Sequence, residues 1–412
     1  MDFNDTPEEA AYRAEVRGWL EKNAPRKSVG EDDLLEGGSK DTMAASKAWQ
    51  AKKAAAGYAQ ITWPEEWGGP GGTPIQQVIF SQEEAKYPVP GNPFAIGLGM
   101  CVPTVMAFAD GETKTRFVGP ALRGEEIWCQ LFSEPSGGSD VAAARTKAVK
   151  APDGSGDWII DGQKVWTTGA QFSDFGIVIC RTEPEAPKHK GMTMFWVDMH
   201  DPGIEVRPIH QASGGSGFNE VFFTGVRVKD SQRLGAVNEG WKVSLVTLMN
   251  ERLAVGGASG AGWREFMEVA RSVTGLDGAP AIKDRALREN IADWYVATEG
   301  LKHTRNRTLT ALSKGATPGP ESSIGKIVTA TTMQELANSA VELLDQYGII
   351  DDPALAPLHA AFHQSLMSAP GLRIAGGTDE ILKNIIAERV LGLPGDIRVD
   401  KDVAFKDLPT GR

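Results

Sequence analysis

The sequence predicts an α+β protein in three successive parts: an N-terminal helical domain, a central antiparallel β-barrel domain and a C-terminal helical bundle. Three observations carry this. Apolar residues recur at helical spacing up to about residue 125. From there to about residue 236, short apolar and β-branched runs alternate with turn residues. Helical spacing then returns until about residue 396. Many short strands without helices between them suit a barrel or sandwich better than a doubly wound sheet. The resulting domains are 1–125, 126–236 and 237–396, with 397–412 as a tail that looks dispensable.

Composition narrows the function classes. A chain of 412 residues is ample for two or three cores. The net charge of −11, without any Lys/Arg-rich run, disfavours a nucleic-acid or anionic-membrane surface. No apolar run approaches the ~20 residues that span a bilayer. Met1-Asp-Phe-Asn lacks the basic and apolar regions of a signal peptide, so the expected location is a bacterial cytoplasm or an organellar matrix. Cys101, Cys129 and Cys180 have no metal-ligand spacing and read as buried thiols.

Taken in order, Thr6-Pro-Glu-Glu9 is a capping box with proline at the first helical position. Tyr12, Val16, Trp19 and Leu20 follow on one helical face. Residues 25–41 read as a loop, and a helix is expected over 42–56. Trp63 to Gly72 is too rich in proline and glycine for regular structure. Helical patterns cover 74–86 and, less regularly, 93–122. Strands are expected over 127–132, 146–150, 158–160, 176–181, 193–198, 204–208, 220–223 and 226–228. Asp153-Gly154 and Asp161-Gly162 read as turns. The helices expected beyond cover 240–273, 284–313, 322–347, 354–368 and 379–391. Gly257-Ala-Ser-Gly-Ala-Gly262 follows no strand, so it is not a dinucleotide loop.

Two stretches carry chemistry. Gln130-Leu-Phe-Ser-Glu-Pro-Ser-Gly-Gly-Ser-Asp140 runs from a strand into a loop whose Pro135, Gly137 and Gly138 exclude regular structure and permit close backbone approach to a ligand. Ser133, Ser136 and Ser139 add hydroxyls. Lys164-Val-Trp-Thr-Thr168 begins a strand after the Asp161-Gly162 turn, with Trp166 and Thr168 on one face. Alone, the first is an ordinary serine-rich turn and Trp166 an ordinary core aromatic.

Together, in this order and separation, the two stretches resemble the flavin-contacting motifs of the acyl-CoA dehydrogenase family. The likeness extends over about residues 5–393. It implies a FAD-dependent acyl-CoA dehydrogenase acting in fatty-acid metabolism, which converts a thioester to its trans-2-enoyl form. It further implies a homotetramer that passes electrons to an electron-transfer flavoprotein. Leu131, Ser133, Trp166 and Thr168 would contact the flavin, and Thr378 and Glu380 the adenosine part. Ser139 and Arg252 would face the CoA, and the Gly376 N–H the thioester. The family's neighbouring-subunit arginine run is absent; Arg285, Arg288 and Arg305 are the candidate substitutes.

The base is a departure. Many members carry a glutamate just before Gly-Thr in the C-terminal motif, where this chain reads Ile374-Ala-Gly376-Gly377-Thr378-Asp-Glu380. The isovaleryl and long-chain branches instead place it in a Glu-Arg-Leu sequence, matched by Glu251-Arg252-Leu253. Leu248, Ala254 and Val255 lie one turn away from Glu251, an apolar setting that would raise its pKa toward that of a useful base. The plainer alternative is a helix-interface ion pair. Glu380 reads as first-turn helix chemistry after an N-cap Thr378. An acyl-CoA oxidase or flavin monooxygenase on the same fold stays open. So does a non-catalytic subunit, against which intact Ser133, Trp166, Thr168 and Glu251 argue.

Overall fold

In the computed structural model the described residues are 5–25, 40–254, 261–275, 278–314, 319–320, 322–395, 397 and 400–408. They pack as two compact units, one comprising Asn4–Ala254 and Ile397–Arg412, the other Val255–Asp396.

The first unit opens with α1 (Pro7–Asn23), α2 (Lys40–Ala55), α3 (Pro74–Glu84), α4 (Val102–Phe108) and α5 (Gly111–Leu122). The expected capping box is present: Thr6 Oγ1 accepts from the Glu9 N–H at 3.2 Å, and Glu9 Oε2 from the Thr6 N–H at 2.8 Å. The apolar face of α1 then buries Val16 and Leu20 against Trp49, Tyr58, Ile61 and Phe80. Opposite them, the fully buried Glu83 carboxylate of α3 gathers Arg13, Arg17 and Lys86. A segment read as one loose helix over 93–122 is three pieces: a π-helical turn (Gly97–Cys101), α4 and α5. Asp110 separates the last two by capping α5, accepting from the Thr113 N–H at 2.8 Å.

Eight strands follow: β1 (Trp128–Leu131), β2 (Lys147–Lys150), β3 (Trp158–Thr168), β4 (Phe175–Arg181), β5 (Met192–Asp198), β6 (Ile204–Ile209), β7 (Phe218–Val228) and β8 (Arg233–Leu234). They form one sheet in the order β6-β7-β3-β2-β4-β5-β8, with β1 also on β4. The expectation of antiparallel pairing holds for most of it, but β1 and β2 meet β4 in parallel. Residues 132–174 form the long crossover that parallel neighbours require. The central strand β4 is buried on both faces. Ile177 and Ile179 join the helices' core, whereas Val178 and Cys180 join Phe195, Val197 and Val221 on the other side.

Two readings of strand ends are corrected. Asp161-Gly162 does not end a strand; β3 runs through it, with a register shift against β7 between Ile160 and Gly162. Gly225 does not divide two strands either, since β7 is continuous through it. The two irregularities face each other and are tied by the Gly225 N–H donating to Asp161 Oδ1 at 2.8 Å. Gly162 has φ 152°, and a Cβ there would meet Thr146 Oγ1 at 2.6 Å. Gly162→Ala is therefore expected to destabilise by about 1–3 kcal/mol, read as a lowered denaturant midpoint.

Helix α6 (Gly240–Ala254) closes the first unit, burying Val243, Ser244 and Thr247. Thr247 Oγ1 lies 2.8 Å from Thr104 Oγ1 of α4. The segment 400–408, read as dispensable, docks on this unit: the Phe405 N–H donates to Ala186 O at 2.9 Å and the Lys406 N–H to Pro184 O at 3.0 Å. The thiols of Cys101, Cys129 and Cys180 are buried and free, as expected.

The second unit contains α7 (Trp263–Ser272), α8 (Arg285–Ser313), α9 (Ser322–Leu343), α10 (Ala361–Leu372) and α11 (Asp379–Ile385). Phe266, Trp294, Leu336 and Phe362 form its core. The glycine run dismissed as a dinucleotide loop lies mostly outside the described residues, at 255–260. Among the described residues no helix is long and apolar enough to cross a membrane.

Candidate functional site

The loop after β1 is fixed by a residue that the sequence reading passed over. Glu134 and Gly137 exchange backbone hydrogen bonds (2.9 and 3.2 Å), folding Pro135-Ser136 into a tight turn. This directs the Glu134 carboxylate inward, where it accepts from the N–H groups of Arg145 (2.6 Å) and Thr146 (2.9 Å). It also pairs with Lys164 Nζ at 2.7 Å, and the Lys164 side chain is wholly buried. Burial alone would raise the Glu134 pKa. The Lys164 charge and hydrogen bond, with the two N–H donors, outweigh it and hold the carboxyl below its usual range. Lys164 donates further to Phe132 O at 3.2 Å, and the Val165 N–H to Ser133 O at 2.9 Å. The two motifs read separately from the sequence are thus one assembly. A carboxylate inside the first and a lysine opening the second were the signal.

Within it, Leu131 is fully buried, backbone and side chain alike. Ser133 is half-buried and Ser139 exposed. Trp166 departs from simple strand geometry, with φ 60° at a second register shift of β3. Positive φ in a bulky residue costs of order 1–3 kcal/mol and concentrates at functional positions. Val165 and Thr167 are buried, whereas Trp166 is 58% exposed, with its neighbour Phe218 edge-on at 6.2 Å. Thr168 is half-buried. Among the described residues neither Ser133 Oγ nor Thr168 Oγ1 takes part in a hydrogen bond. An exposed indole on a strand joined to the Ser133 loop, with two free hydroxyls, fits a flat ring with a polar edge, as flavin is.

Gly376, Thr378 and Glu380 belong to the other unit. Gly376 and Gly377 both have positive φ, at 64° and 92°. The loop is braced by Arg373, which contacts the buried Asp379 carboxylate at 2.6 and 2.7 Å and Gln334 at 3.0 Å. Lys326 Nζ donates to Gly377 O. Thr378 caps α11, accepting from the Ile381 N–H at 3.3 Å. Glu380 is exposed, and its own N–H with the Thr378 hydroxyl lowers its pKa, the wrong direction for a base. Glu251 and Arg252 lie on α6, but their side chains lie outside the described residues. Position 251 follows Ser244 and Thr247 at i+7 and i+4, the spacing of one helical face. Arg285 is exposed and paired with Glu289, and Arg288 and Arg305 are exposed.

Helical, β and helical segments around such a motif pair define a flavoprotein-type oxidoreductase fold, and comparison with known proteins gives the family. Residues 6–125, 129–226 and 238–391 match, respectively, the N-terminal, middle and C-terminal domains of acyl-CoA dehydrogenase. The chain belongs to the acyl-CoA dehydrogenase family. Acyl-CoA dehydrogenase FadE34 of Mycobacterium tuberculosis is 40% identical over 333 residues, which is 81% of this chain but 44% of that protein. The chain thus spans less than half of FadE34's length. Acyl-CoA dehydrogenase IpdE1 of the same organism is 33% identical over 405 residues, covering 94% of this chain and 98% of IpdE1. Among solved structures, the Tcur3481-Tcur3483 steroid ACAD superposes with a TM-score of 0.78 at 26% identity, covering 96% of this chain and all of that one.

Proposed function

We propose that the protein is a FAD-dependent dehydrogenase that introduces an α,β-double bond into an acyl-CoA thioester. The observation that carries this is Trp166, exposed and held at positive φ beside the Ser133 loop by the buried Glu134–Lys164 pair. Leu131, Ser133, Trp166 and Thr168 would hold the flavin ring, and Thr378 and Glu380 the adenosine part. FAD, when bound there, would supply the acceptor for the β-hydride, with an electron-transfer flavoprotein as the onward acceptor. Glu251 removes the α-proton. The Gly376 N–H donates to the thioester carbonyl, stabilising charge that develops there as the proton leaves. Ser139 and Arg252 face the CoA. Domains at 1–125, 126–236 and 237–396 assemble as a homotetramer. Support for a bulky, polycyclic acyl group comes from the steroid enzyme's likeness and from the glycine that stands where many members carry a carboxylate.

The test is the visible spectrum of the purified protein, before and after anaerobic addition of straight-chain, branched and steroid-side-chain CoA thioesters. A yellow protein bleached by one of them is expected, with bleaching fastest for the steroid thioester. A colourless protein that added FAD does not restore would overturn the reading. Rapid peroxide formation in air would replace the dehydrogenase by an oxidase.

A further inference from the structure

We propose that segment 400–408 positions the cofactor-contacting loop, with Phe405 and Asp400 as its two anchors. The inference rests on reading the loop after β1 as the flavin-contacting element. Arg181, at the end of β4, is the hub. Its side chain is buried and donates to Ala142 O (2.5 Å), Ala144 O (3.4 Å) and Lys188 O (2.7 Å). Three carbonyls satisfy the edge of the guanidinium, and Phe405 covers its face, with the ring centroid 3.8 Å from Cζ. Arg145 stands on the same ring at 5.9 Å. A planar cation on an aromatic face is an interaction that lysine cannot reproduce.

The second anchor runs through Lys188. Its Nζ bridges Asp400 (2.6 Å) and Asp140 (2.9 Å), the last residue of the first motif. Burial would lower the Lys188 pKa, but the two carboxylates more than offset this and raise it, so the bridge is charged throughout the neutral range. Both routes end on one stretch of chain. Asp140, Ala142 and Ala144 are held from the segment's side, while the N–H groups of Arg145 and Thr146 are held by Glu134 from within. The loop that bears Ser133 and Ser139 is therefore pinned at its far end by residues some 260 positions away in sequence.

Two rates test this on the full-length protein: FAD release after dilution, followed by free-flavin fluorescence, and tryptic cleavage between Arg145 and Thr146, followed by fragment mass. Phe405→Ala is expected to accelerate both at least tenfold, and Phe405→Trp to restore both to within threefold of the parent. Lys406→Ala, which removes only an exposed pair with Glu185, should leave both within twofold. Both rates staying within twofold in Phe405→Ala would overturn the proposal. Should that variant not fold, Asp400→Asn decides: threefold acceleration supports the strap, and no change refutes it. If the parent protein holds no FAD, the flavin reading fails, and cleavage at Arg145 still reports on the strap.

Discussion

Glu251→Gln is expected to keep FAD and bind acyl-CoA while losing flavin reduction by roughly 10²–10⁴-fold, the usual contribution of a positioned base. The amide preserves size and one acceptor oxygen but cannot take the α-proton. Stopped-flow bleaching under anaerobic conditions measures it, and binding is read separately from the spectral shift on mixing. Glu380→Gln, altering an exposed first-turn carboxylate with a lowered pKa, should reduce flavin at a near-parental rate. If Glu251→Gln reduces flavin normally and Glu380→Gln does not, the roles are reversed.

Breaking the Glu134–Lys164 pair should have the largest effect on stability. Glu134→Gln leaves a wholly buried ammonium without its counter-charge, and removing one member of such a pair costs about 3–5 kcal/mol. The double variant Glu134→Leu with Lys164→Met should recover part of that loss, since neither charge is then stranded. Flavin retention should not recover with it, because the loop loses the acceptor for the Arg145 and Thr146 N–H groups. The sign of the pH dependence follows from the lowered pKa of Glu134. Its stabilising contribution is complete above the unfolded value, about 4.3. It is lost as the pH falls through the lower folded value, because the unfolded chain binds the proton more readily. Thermal midpoints of the parent should therefore fall more steeply than those of Glu134→Gln as acid is added below pH ~4.3.

Legibility in the sequence followed the range of the interactions. The Thr6 capping box, the starts of α1, α3, α6, α9 and α11 and the β4 apolar run depend on neighbours in sequence, and each is where local pattern placed it. Asp161-Gly162 failed for the opposite reason. As a dipeptide it is a turn, but Thr146 and Gly225, which are distant in sequence, make it a bulge inside a strand. Trp166 and Ser133 were recognisable as a motif pair, yet the Glu134–Lys164 bond that joins them spans 30 positions and carries no periodicity. Segment 400–408 looked dispensable because it is short and polar. Its hold comes from backbone hydrogen bonds together with one aromatic ring and one carboxylate, which composition does not reveal.

The docking of Phe405 on Arg181 also sets an order of events in the cell. The two residues are roughly 220 positions apart, so at about 5–20 residues per second some 10–45 s separate their synthesis on the ribosome. Throughout that interval the β domain can fold, but the guanidinium has no cover and Lys188 lacks one of its two carboxylates. A nascent chain at that stage therefore carries a sheet that is finished and a loop that still lacks two of its anchors, and on the reading proposed above flavin would be held firmly only once segment 400–408 has been made.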